Sequence, residues 1–156
     1  MGLIEGCTGV RFVKRTAVHA GQSFLYVKRG IAGLSSTVGC HRFKPNCMTL
    51  NPDCKNFQLP YSIVHELMHV LGFCHMHQNE QRATHLRVIS DNIQPDRLRN
   101  FVIASSETFG LRYDINSILH YGPCAFARVP CPNKECCTGC TLKPLYVKDR
   151  EALKKR

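Results

Sequence analysis

The stretch His65-Glu66-Leu67-Met68-His69-Val70-Leu71-Gly72-Phe73-Cys74-His75 decides how the rest of this chain is read. On an α-helix, residues four apart share a face, so His65 and His69 can offer their imidazoles to one metal ion. Glu66 follows the first histidine directly and projects beside that ion, where a carboxylate can take a proton from water. Gly72 lacks a Cβ, so the chain can leave the helix sharply and bring His75 round as a third ligand. Three protein ligands with one open position is how a catalytic zinc is built, whereas structural sites close all four.

The flanking residues argue against two histidines sitting by chance on a wet helix face. Tyr61, Ile63, Val64, Leu67, Met68, Val70, Leu71 and Phe73 make the segment apolar nearly all round, which predicts burial. Two buried histidines and a buried glutamate need polar partners, and one cation supplies them together. The full spacing H-E-x-x-H-x-x-G-x-x-H resembles the metzincin zinc signature.

With 156 residues the chain reads as one domain, and 44% hydrophobic composition suits a globular core. No apolar run is long enough to cross a bilayer, so no membrane span is expected. The start, Met1-Gly2-Leu3-Ile4-Glu5-Gly6, has neither the charged region nor the apolar core of a secretion signal. Ten cysteines nevertheless favour an oxidising, extracellular setting. The expectation is a secreted protein whose signal and propeptide lie outside this chain. The formal charge of +10 is spread over scattered lysines and arginines. With no basic face interleaved with aromatics, it predicts a solvated surface and no nucleic-acid partner.

Along the chain, Cys7 to Lys14 alternates apolar and polar residues and predicts a half-buried strand. Phe24 to Lys28 predicts a more buried one. Ser35 to Val38 and Met48 to Leu50 are shorter candidates, the latter suited to a sheet edge. A loop is expected over Pro52 to Pro60, then the histidine helix from about Ser62 to Leu71. Beyond His75, Met76 to Thr84 reads as irregular, Pro95 opens a short helix through about Ile103, and Tyr113 to Tyr121 leads into a turn. Cys124 to Cys140 reads as a cysteine- and proline-dense loop, and Asp149 to Arg156 as a terminal helix.

Two blocks resemble the astacin family within the metzincins. The first is the histidine segment followed by Arg82; the second, Tyr113-Asp114-Ile115-Asn116-Ser117-Ile118-Leu119-His120-Tyr121-Gly122, looks like the astacin Met-turn. Weaker likenesses lie at Cys7 to Val13, Val38-Gly39 and Thr141-Leu142-Lys143-Pro144. The resemblance implies a zinc endopeptidase acting on proteins or peptides. Its one catalytic Zn2+ would be held by His65, His69 and His75. Glu66 would serve as general base and then acid, and Tyr121 as an oxyanion-stabilising tyrosine. A catalytically weak relative that keeps the site only as a binding module is the alternative. Either Arg112 or Arg128 is a candidate for a substrate-pocket cation, and oligomeric state is left open.

The chain also departs from the family. Leu119 stands where the turn has methionine, and Met76 where a glutamate receives the mature N-terminus. Leu34 replaces a disulfide cysteine, while Cys40, Cys47 and Cys74 are additional. Cys7 would find its family partner beyond Arg156, and only Ile4-Glu5-Gly6 would remain of a long family helix. Cys131, Cys136, Cys137 and Cys140 suit disulfides better than a second zinc knuckle. Cys54 is expected to pair with Cys40 or Cys47, and Cys74 to be bridged or a buried thiol. The expected fold class is α+β, a metzincin-like (zincin) catalytic domain, partial at both ends and spanning 1-156. Its upper subdomain, 1-75, would hold a small twisted β-sheet and the zinc-binding helix, above a cleft. The lower subdomain, 76-156, would be irregular and disulfide-rich, with the Met-turn-like segment and the Cys-rich loop.

Overall fold

The computed structural model describes residues 1–31, 33–41, 44–51, 59–104, 109–129 and 139–145. The chain divides into two compact units, Met1–Phe73 and Cys74–Arg156.

The first unit runs α1 (Gly2–Cys7), β1 (Leu25–Arg29), β2 (Ser35–Ser36), β3 (Asn46–Leu50) and α2 (Leu59–Val70). β3 is the middle strand rather than an edge: it pairs in parallel with β1, Leu25 opposite Asn46 through Arg29 opposite Leu50, and antiparallel with β2. Its inward side explains the position. Met48 is 1% exposed and packs with Ile4 and Leu67, joined by Leu25, Leu50 and Ile63. Asn46 is buried with it, its amide oxygen accepting from the His41 amide and its amide nitrogen donating to Ser23 Oγ. β1 forms where expected but is largely exposed, Tyr26 and Val27 included, because among the described residues it has a neighbour on one side only.

No strand forms over Cys7 to Lys14. Residues up to Cys7 are helical and the following backbone is bonded to side chains instead of a ladder. Thr8 Oγ1 donates to the Ile4 carbonyl, the Phe12 amide donates to Glu5 Oε1, and Arg11 Nη1 donates to the carbonyls of Glu5, Thr8 and Val10. The alternation still has a purpose, since Val10 and Phe12 pack against the Ile4–Met48–Leu67 cluster.

In the second unit 3-10 turns span Met76–Gln78, Glu80–Thr84, Ser90–Asn92 and Pro95–Phe101, the last starting at proline as expected and ending before Ile103. Two three-residue strands that the sequence reading missed, β4 (Leu86–Val88) and β5 (Leu142–Pro144), pair antiparallel. They close over a core of Leu86, Ile93, Phe101, Tyr113, Ile115 and Leu142, against which Met76, Tyr121 and Phe126 pack. Leu119 is also buried, at 1% exposed.

Cys7, Cys40, Cys47 and Cys74 are free thiols, and the expected pairing of Cys40 or Cys47 with Cys54 falls on a cysteine outside the described residues. Cys54, Cys131, Cys136, Cys137 and the terminal helix expected over Asp149 to Arg156 lie outside the described residues. No helix among the described residues is long and apolar enough to cross a membrane.

Candidate metal centre

α2 places His65 and His69 one turn apart, with their Nε2 atoms 3.0 Å from each other and their rings at 87°. Two imidazoles aimed at one point is the arrangement a shared cation needs. A tetrahedral ion with Zn–N bonds of 2.0–2.1 Å sets its ligand atoms about 3.4 Å apart. The helix is less enclosed than its apolar composition suggests: Glu66, Leu67 and His69 are buried, whereas Tyr61 and Leu71 are exposed.

The tautomer of His69 is fixed by the chain's own exit from the helix. Its Nδ1 lies 2.6 Å from the Phe73 carbonyl oxygen. That oxygen can only accept, so Nδ1 carries the proton and Nε2 keeps its lone pair. Burial lowers the His69 pKa, with the Phe73 carbonyl opposing, and so favours the neutral imidazole that binds metal.

Gly72 makes that exit possible. Its φ is 106°, the Phe73 amide donates to the Met68 carbonyl and the Gly72 amide to the His69 carbonyl. These are the two bonds of a Schellman cap. Three residues on, His75 follows at the start of the Met76–Gln78 turn, which is tied down by the Met76 amide donating to the Leu119 carbonyl. One ligand atom from each of His65, His69 and His75 lies within 4.8 Å of the others. β2 and its exit also brace the helix: Ser36 Oγ donates to the Glu66 carbonyl and the Gly39 amide to the His69 carbonyl.

Glu66 is buried, and its Oε2 has no hydrogen-bond partner among the described residues. A buried carboxylate oxygen without a donor is costly, and a cation with its water next to it would remove that cost. The donor set therefore fits a zinc ion: nitrogen ligands on a rigid helix, one tautomer fixed, and an unsatisfied carboxylate adjacent.

Tyr121 lies edge-on to His75, ring centroids 4.6 Å apart. Its other neighbours are Phe101, Phe126 and, face to face at 3.8 Å, His77. Burial raises its phenol pKa, opposed by Arg97, so it is protonated at neutral pH.

His77 is the residue the sequence reading passed over. It is fully buried, its Nε2 lies 2.9 Å from the Asn100 carbonyl, and burial lowers its pKa to about 4. The available signal was a histidine two places after His75 in an otherwise polar run. Arg82, singled out for its spacing, bonds the carbonyls of His77 and Phe101 through Nη1. His120, in the Met-turn-like segment, meets Tyr113 Oη at 2.6 Å. Arg112 is exposed, and Arg128 Nε donates to the Ile93 carbonyl.

The family profile described as Astacin, a peptidase family, matches residues 1–135. Tolloid-like protein 2 of Mus musculus is 34% identical over 127 residues, 80% of this chain and 12% of that protein. Zinc metalloproteinase nas-14 of Caenorhabditis elegans is 38% identical over 125 residues, 78% of this chain and 24% of that protein. Among solved structures, high choriolytic enzyme 1, a hatching enzyme zinc-protease from Oryzias latipes, matches with a TM-score of 0.70 and 27% identity, over 90% of this chain and 64% of that one. The chain thus spans only a fraction of the length of these relatives. A profile match over most of the sequence makes this chain a member of the astacin family.

Proposed function

We propose that the chain carries the catalytic site of a secreted zinc endopeptidase that hydrolyses peptide bonds in proteins. The single observation that supports this most is the buried Glu66 Oε2, without a hydrogen-bond partner among the described residues, on the residue following His65 in a cluster of three histidines. His65, His69 and His75 would hold the ion. When bound, zinc supplies Lewis acidity, polarising an amide carbonyl and acidifying water towards a pKa of roughly 7.

The remaining chemistry belongs to the protein. Glu66 takes a proton from the attacking water and delivers it to the departing amine nitrogen. Tyr121, kept protonated by burial, donates a hydrogen bond to the oxygen on which negative charge develops. His69 needs no tautomer change to serve as ligand, because its Nδ1–H already donates to the Phe73 carbonyl. An extracellular setting is supported by ten cysteines in 156 residues.

The test is protein digestion with and without chelator, beside Glu66→Gln. Chelator should abolish cleavage. Glu66→Gln should keep zinc and lose turnover by roughly 10²–10⁴-fold. Chelator-resistant cleavage, or a Glu66→Gln variant as active as the parent, would overturn the assignment.

A further inference from the structure

Cys124 and Cys140 are used by none of this chemistry, yet the fold brings them together. Their sulfurs are 3.8 Å apart although 16 positions separate them in sequence. The contact sits on a dense backbone junction. The Pro123 carbonyl accepts from the amides of Thr141 and Leu142 and from Thr141 Oγ1, which also lies 2.8 Å from the Ala125 carbonyl. Asn92 Nδ2 adds a bond to the Cys140 carbonyl. Thr141 is fully buried, Cys140 nearly so, and Cys124 half-exposed. A disulfide needs its sulfurs at about 2.0 Å, under 2 Å closer than they now lie.

We infer that Cys124 and Cys140 form a disulfide that locks the segment following Tyr121 onto β5. This assignment is independent of the catalytic reading. It also removes Cys140 from any four-thiolate metal knuckle with Cys131, Cys136 and Cys137.

The bond forms by thiol–disulfide exchange with a small-molecule disulfide such as oxidised glutathione. The more exposed Cys124, as thiolate, attacks a glutathione sulfur; the glutathione S–S bond breaks and one glutathione thiolate leaves. The Cys140 thiolate then attacks the Cys124 sulfur, forming the protein S–S bond and expelling the second glutathione thiolate. Two cysteine thiols lose two electrons, one glutathione disulfide gains them, and the two thiol protons end on two glutathione molecules.

The test uses the full chain oxidised with a glutathione couple, alkylated without reduction, and digested for peptide mass mapping. A cross-linked peptide joining Cys124 to Cys140 is expected, together with no zinc bound by the cysteine segment. Reduction should lower Tm by roughly 10 °C, since the bond closes a loop of similar length to those worth a few kcal/mol. The Cys124→Ser/Cys140→Ser double variant should show no such drop from this bond. Alkylated Cys124 and Cys140 in the oxidised chain, either one linked to Cys131, Cys136 or Cys137, or a second zinc held by cysteine would each overturn the inference. The mapping is done on the unmodified sequence, so it decides the matter even if the double variant fails to fold.

Discussion

Replacing Gly72 by alanine should separate the cost of a strained backbone from the cost of a misplaced metal ligand. Gly72 sits at φ 106°, where an L-residue's Cβ crowds its own carbonyl. Adopting left-handed backbone costs a non-glycine residue about 1–2 kcal/mol. Gly21 supplies the control: its φ is 79° and an added Cβ would meet nothing within 4 Å. In the metal-free protein, urea unfolding should show Gly72→Ala and Gly21→Ala destabilised by comparable amounts. Zinc affinity, read by competition with a chromophoric chelator, should distinguish them. If the chain relieves the strain by opening the cap, the Phe73 carbonyl leaves His69 Nδ1 and His75 loses its approach. A penalty of about 1.4 kcal/mol moved onto metal binding weakens it tenfold. Gly72→Ala should therefore bind zinc about tenfold more weakly, and Gly21→Ala as the parent does. Parental zinc affinity in Gly72→Ala, with stability lowered, would refute the claim that this cap sets the third ligand.

Three further outcomes are expected. A Cβ at Gly30 would lie 2.1 Å from Thr49 Cγ2, so Gly30→Ala should lose about 1–3 kcal/mol in urea unfolding; adding Thr49→Ser, which deletes that methyl, should restore most of it. Leu119→Met replaces a side chain that is 1% exposed by one of similar volume; stability should change by less than about 1.5 kcal/mol and chelator-competition zinc affinity should not change. His77 has its pKa lowered from 6.5 to about 4 by burial, so between those values the unfolded chain binds the extra proton and acid favours unfolding. Metal-free protein should lose about 3 kcal/mol from this group as pH falls from 6.5 to 4, and the urea–pH profile of His77→Gln should be flatter by that amount; parallel profiles would assign the acid sensitivity elsewhere.

The histidine helix was legible because its chemistry is local. Spacing of four on a helix and a glycine at its end are properties of adjacent residues, and α2 with its Schellman cap follows from them. Strand positions were legible where β-prone residues cluster, as in Leu25–Arg29, but burial and strand order were not. Those depend on which segment becomes the middle of the sheet, and Asn46 holds that place only through partners at Ser23 and His41. The false strand over Cys7 to Lys14 shows the limit of alternation: side chains of Glu5, Thr8 and Arg11 supplied bonds that a neighbouring strand would have supplied. His77 escaped notice because what distinguishes it, a ring stacked on Tyr121 and a bond to Asn100, is assembled from residues 23 and 44 positions away.

One peptide unit at Phe73 has a double duty. Its N–H closes the last turn of α2 on Met68 while its C=O accepts a hydrogen bond from His69 Nδ1. Fraying of that turn and loss of a metal-ready imidazole are consequently the same event. Hydrogen exchange at the Phe73 amide would count how often the apo-protein becomes unable to take up its ion, and zinc should slow that exchange in proportion to its affinity.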